Sequence, residues 1–182
     1  MAEEKFWKVL DTKKGFAGNW VDIDLDKVEL PDKSLIEFEA INFHRNGTGV
    51  VAENSEGKVI LVKNYRYIND YYSWEVPAGT IPPDMDHSDC IIEELKEEAG
   101  CEVRRDNLRY LGNFYPSIGS SSQIFHCYYA SDVKKITHDI DANEIIEAKW
   151  FSREEIIKMI SDGTIKDGFS LYLLFRWLYL LN

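Results

Sequence analysis

Cysteine is scarce in this chain of 182 residues: Cys90, Cys101 and Cys127 are all it has. None stands at the short paired spacing of a disulfide framework or a zinc site, so they read as reduced core thiols of a cytoplasmic protein. Positive charge is also short. Lys and Arg number 21 against 32 Asp and Glu, for a formal net charge of −11. That balance argues against electrostatic binding to nucleic acid or to an anionic membrane. A small phosphate substrate stays open, because a divalent cation can bridge two sets of anions. No apolar run is long enough for a membrane span: the stretch from Phe169 to Leu181 is short and interrupted by Arg176, and fits a buried terminal helix. Residues 1 to 10 mix charge with aromatics and do not read as a secretory signal. Repeats and low-complexity tracts are missing too.

What is present is core material. Hydrophobic residues make up 45% and aromatics 13% of the chain, which is enough for a folded domain with a sizeable interior. Alternating runs at Trp20–Leu25 and Leu35–Ile41, parted by Pro31-Asp32-Lys33, predict a small antiparallel sheet. The runs Gly49–Ala52 and Val59–Val62, around Asn54-Ser55-Glu56-Gly57, predict a hairpin. Further strands are expected near 108–115, 123–130 and 145–151, with helices over 153–161 and the apolar tail. Strands and helices in this order predict an α+β fold.

One helix carries most of the chemistry. It is expected to begin near Asp86, with Asp89 as a capping-box partner, and to stop at Gly100. At about 100° per residue, Glu94, Glu97 and Glu98 share an arc of roughly 100° beside the apolar arc of Ile91, Ile92, Leu95 and Ala99. Carboxylates crowded at the edge of a core repel one another unless a cation sits among them, and hard oxygen donors suit Mg²⁺ or Mn²⁺. Taken alone, such a Glu run is equally a solvated helix face.

The surroundings of the helix resemble a known motif. Gly79, Glu94, Leu95, Glu97, Glu98 and Gly100 fall in register with the Nudix box, and Cys101 supplies its apolar ending. Met85 and Glu93 stand where the box has its first Glu and its Arg. Glu75-Val76-Pro77-Ala78-Gly79, Asn64-Tyr65-Arg66-Tyr67, and Pro116 at its offset past Cys101 resemble the ADP-ribose pyrophosphatase and nucleoside-diphosphate-sugar hydrolase branch. Asp141–Glu147 resembles that branch's acidic loop.

The resemblance implies an α/β/α sandwich over residues 45–182, with residues 1–44 as a small amino-terminal sheet that helps form a homodimer. It implies a Mg²⁺-dependent hydrolase of a nucleotide-sugar pyrophosphate. Glu94, Glu98 and the carbonyl of Ala78 would hold metal, with Glu97 and Glu144 as catalytic acids. Arg66, Glu75, Gly79 and Pro116 would contact substrate. Bland readings stand beside these: Arg66 as a surface arginine, Glu75 as partner to a neighbouring cation, Glu144 as an exposed loop acid. Phe6, Trp7, Trp20, Tyr71, Tyr72 and Trp74 could stack on a base, although most are expected in the core. The paired loss at Met85 and Glu93 leaves no stranded charge, and predicts a looser loop and slower turnover. A silent nucleotide-sugar sensor is the other outcome.

Overall fold

A computed structural model describes residues 6–181, so the opening residues weighed for a secretory signal lie partly outside it. The chain forms two units. One runs up to Asn46 and takes in Ser117–Gln123; the other comprises Gly47–Pro116 and the chain from Ile124 on.

In the first unit, β1 (Lys8–Ala17), β2 (Val21–Glu29) and β3 (Leu35–Phe43) form an antiparallel sheet in that order. The turn at Pro31–Lys33 is tied by Asp32, whose carboxylate accepts from both the backbone N–H and the hydroxyl of Ser34. Strand β1 was not anticipated. Every one of its residues is exposed, so no period-two pattern marks it, and its pairing with β2 is irregular at two places. The aromatics expected inside are a correction: Phe6, Trp7, Trp20 and Tyr72 are 78%, 46%, 71% and 58% exposed.

The second unit holds β4 (Gly47–Ala52), β5 (Val59–Arg66), β6 (Tyr71–Glu75), β7 (Ala78–Thr80) and α1 (His87–Ala99), then β8 (Cys101–Glu102), β9 (Leu108–Phe114), β10 (Phe125–Ala130) and β11 (Lys134–Lys135). It ends with β12 (Ile145–Phe151), α2 (Arg153–Ser161) and α3 (Gly168–Leu180). Its sheets run β7-β4-β10-β9 and β12-β5-β6, with a short β11-β8 ladder. The predicted hairpin between β4 and β5 is therefore wrong. The turn at 54–57 exists, but it carries the chain from one sheet to the other; among the described residues no ladder joins the two strands, and an isolated Glu53–Val59 bridge closes the turn. Both strands are apolar at successive positions because both of their faces are covered. Val51, Val59 and Leu61 pack with α2 and α3. Val50, Ala52, Ile60 and Val62 pack with α1. Helices on both sides of the strands give the α/β/α arrangement of an α+β domain.

Helix α1 begins and ends where its sequence says. Asp86 caps it by accepting from the Ser88 N–H, and Gly100 takes the left-handed conformation (φ 59°) where a side chain would strike the Thr137 carbonyl. Asp89 does not complete a capping box; it pairs with Arg105. The first turn is braced by His87, which stacks on His126 at 3.9 Å between centroids and shares a hydrogen bond with Tyr128. All three cysteines are free and buried, and burial pushes their thiols up to between about 11 and 12. No helix among the described residues is long and apolar enough to cross a membrane.

Candidate active site

The acids of α1 are sorted by depth. Leu95 and Ala99 bury the helix against the sheets, so the residue one turn on from Glu94, Glu98, is drawn to the edge of the core and left only 7% exposed. Glu94 is half-buried, while Glu93 and Glu97 are exposed. Glu98 Oε2 accepts a 2.9 Å hydrogen bond from the Ala78 N–H. Burial is the larger effect and pushes the Glu98 carboxyl up to about 8, with the charges of Glu94 and Glu144 adding to it and Ala78 and Arg66 opposing it. Burial likewise lifts Glu94 to about 7, helped by Glu97, Glu144 and Glu93. Acids from two turns of one helix and from a distant loop therefore act on one another.

The Pro77-Ala78-Gly79 bend is positioned from three sides. Val76 donates to Ser170 Oγ at 3.0 Å, the Pro77 carbonyl accepts from Val50 at 3.0 Å, and Ala78 donates to Glu98. Gly79 is required by close approach: a Cβ there would run into the Glu94 carboxylate. Its visible part is to make room for that acid. The acidic loop hangs on the end of α1, where the Asp141 N–H donates to the Glu97 carbonyl at 3.1 Å. Asp141 spends its side chain on the loop, accepting from Asn143 N and Nδ2 at 2.9 and 3.1 Å. Glu144 is the loop acid whose charge Glu94 and Glu98 feel.

Glu75 is paired with a neighbouring cation. Its carboxylate is 6% exposed and takes both Nε (2.9 Å) and Nη2 of Arg66, with Asn64 Nδ2 at 3.4 Å. The pair lies on one sheet face because Val62 and Glu75, and Arg66 and Tyr71, are direct cross-strand partners. Arg66 keeps one terminal nitrogen uncommitted in these bonds and raises its own pKa through Glu75 first. Pro116 is an exposed turn residue beyond β9. Met85 is half-buried and Glu93 exposed, and the loop before α1 is held instead by the Asp86 cap and a Met85–Pro82 backbone bond.

Sequence reasoning missed Ser170 and Asp167, and named Asn64 within the Asn-Tyr-Arg-Tyr stretch without giving it a role. Asp167 and Ser170 form a helix-cap pair visible in the sequence, but the reach of Ser170 to Val76 is long-range. Asn64 lies on the Arg66 face by strand period, and that signal was available.

Among the described residues no three His, Cys, Asp or Glu side chains already close around a point where an ion would sit. The donor set still fits a hard divalent cation. It consists of carboxylates that raise one another's proton affinity, with Glu94 seated in a cradle that any Cβ at position 79 would fill.

Comparison with known proteins agrees with this arrangement. The NUDIX domain family matches residues 43–170. The chain is 26% identical to the ADP-ribose pyrophosphatase of Bacillus subtilis (strain 168) over 167 residues, covering 91% of this chain and 89% of that one. It is 31% identical to the GDP-mannose pyrophosphatase of Yersinia enterocolitica over 170 residues, covering 86% and 87%. A crystal structure of an ADP compounds hydrolase superposes with a TM-score of 0.83 at 16% identity, over 98% of this chain and 97% of that one. The acidic helix, the bend that meets it and the family match over most of the length lead to one conclusion: the chain belongs to the Nudix family, in a branch like that of the ADP-ribose pyrophosphatases.

Proposed function

We propose that the protein is a pyrophosphohydrolase that depends on Mg²⁺, with Mn²⁺ as a substitute, and splits ADP-ribose or a related nucleoside diphosphate sugar into nucleoside monophosphate and sugar phosphate. The observation that carries this is Glu98, a carboxylate buried at the foot of the Pro-Ala-Gly bend with Glu94 and Glu144 acting on it. A divalent ion bound there supplies charge neutralisation for the pyrophosphate and acidifies a water. Glu94, Glu98 and the Ala78 carbonyl would hold it. Glu144, on an exposed loop, and Glu97, on the exposed rim of α1, would orient the attacking water and take its proton. Arg66, fixed by Glu75, presents its remaining N–H groups to a phosphate oxygen. Gly79 keeps the bend close to Glu94. Pro116 enters as a substrate contact on the family resemblance alone.

A homodimer is the proposed assembly. Its support is the first unit's sheet, which leaves Trp7, Val9, Leu10, Phe16, Leu25 and Leu35 at least 39% exposed.

The test is purified protein with Mg²⁺ and a panel of nucleoside diphosphate sugars, assayed for monophosphate release. Turnover that falls by about two to three orders of magnitude in Glu98→Gln supports the reading; no turnover of any substrate rejects it. The exposed Glu93 and the uncharged Met85 favour a second reading, a binding module without catalysis. Calorimetric binding of ADP-ribose with no hydrolysis would select it.

A further inference from the structure

The cleft between the β5–β6 hairpin and the turn into α3 takes part in the proposed reaction only through Arg66 and Glu75, yet it is a built pocket. It encloses about 400 Å³ and is lined by Tyr65, Arg66, Tyr71, Ser73, Glu75 and Lys166, with Asp167 at its side. Ser73 and Glu75 are 4% and 6% exposed, so buried polar groups lie within an aromatic wall. The acids of this lining are already engaged. Glu75 is held by Arg66 and Asn64, and Asp167 accepts from the N–H and the hydroxyl of Ser170, each at 2.7 Å.

Lys166 differs from them. Its ammonium sits over the Tyr71 ring at 4.3 Å from the centroid, and among the described residues it has no carboxylate partner. Tyr71 is itself pinned, donating through its hydroxyl to the Thr164 carbonyl at 3.2 Å. Arg66 is the direct cross-strand neighbour of Tyr71. Lys166 and Arg66 thus line the same cleft as Tyr71, and Arg66 lies near enough to Glu98 for the charges to act on each other. In a chain of net charge −11, an exposed ammonium at a pocket wall, outside ion-pair distance of the two carboxylates that share the lining, is a feature that an anion would complete. An ammonium on a flexible stem suits a compact anionic group without demanding the fork geometry of a guanidinium partner.

We propose that this cleft receives the leaving sugar of the substrate, and that Lys166 selects sugars bearing an anionic substituent of their own, a phosphate monoester or a carboxylate. The inference rests on the pyrophosphohydrolase reading and deepens it. A neutral sugar leaves Lys166 hydrated over Tyr71, whereas an anionic one gains a charge-assisted contact.

The experiment compares kcat/KM for two substrate pairs, in wild type and in Lys166→Met. One pair is ADP-ribose and ADP-ribose phosphorylated on its terminal ribose; the other is ADP-glucose and ADP-glucuronate. Wild type should favour the anionic member of at least one pair by about tenfold or more, mainly through KM. That ratio should fall toward one in Lys166→Met, recover in Lys166→Arg, and shrink with added salt. Which pair responds separates phosphate from carboxylate. Equal ratios in wild type and Lys166→Met, with the neutral substrates still hydrolysed, would overturn the inference and leave the hydrolase standing. If nothing is hydrolysed, calorimetry with the same four ligands decides. Anion-selective binding lost in Lys166→Met keeps the cleft and removes the hydrolase, and binding without discrimination removes the cleft.

Discussion

Glu98 and Glu94 are acids held where an acid is expensive, and that cost sets how the protein responds to pH. Both carboxyls bind protons more tightly in the folded chain than in the unfolded one, at about 8 and about 7 against an ordinary value of 4.5. A raised carboxyl favours the fold below its unfolded pKa and loses that contribution as pH climbs through the folded value. In EDTA, the melting temperature should therefore fall as pH rises from about 5 to 8. Mn²⁺ should raise it far more at pH 8 than at pH 5, because the cation binds the deprotonated form. A flat profile in EDTA would contradict the burial of Glu98. The Glu98→Gln variant sharpens this, since at pH 8 without metal it should melt no lower than wild type even as turnover is lost. Gly79→Ala tests the close approach to Glu94. The added methyl displaces that carboxylate, so Mn²⁺ affinity and kcat/KM should drop by about tenfold or more with little change in secondary structure by circular dichroism.

The elements that matter are joined by single hydrogen bonds at their ends. Helix α3 reaches the active-site bend through Ser170, a fully buried hydroxyl that accepts from Val76 and donates to Asp167. Ser170→Ala would strand the Val76 N–H in the core, costing about 1–3 kcal/mol by denaturant titration. It should also lower kcat, because the Ala78 contact to Glu98 lies two residues along. Restoration by Ser170→Thr, which keeps the hydroxyl, would separate that role from loss of volume. Much at this scale was legible in the sequence. The limits of α1 follow from Asp86 and Gly100, whose preferences act within a few residues. The edge strand β1 and the crossing between β4 and β5 were not legible. An edge strand with every side chain in water has no pattern to read, and a run buried on both faces looks the same whether it pairs with its neighbour or with a strand far along the chain.

At the level of the whole molecule, the exposed apolar side chains of the β1-β2-β3 sheet are what a second copy would cover. Sedimentation equilibrium should show a dimer, and charged replacements at Leu10 and Phe16, which are both 53% exposed, should shift it toward monomer with the fold retained. A wild-type protein that is monomeric at all concentrations would remove the dimer reading.

Composition and local pattern were enough for the α+β class and for the acidic helix with both its ends, because each depends on periodicity and end preferences within one or two turns. Depth was another matter. That Glu98 is buried while Glu97 is exposed, that Arg66 is bound by Glu75, and that Ser170 holds a bend far back in the chain all follow from packing between distant segments. Burial and pairing of a polar group are set by what the fold brings against it, and that neighbour is nowhere near it in the sequence.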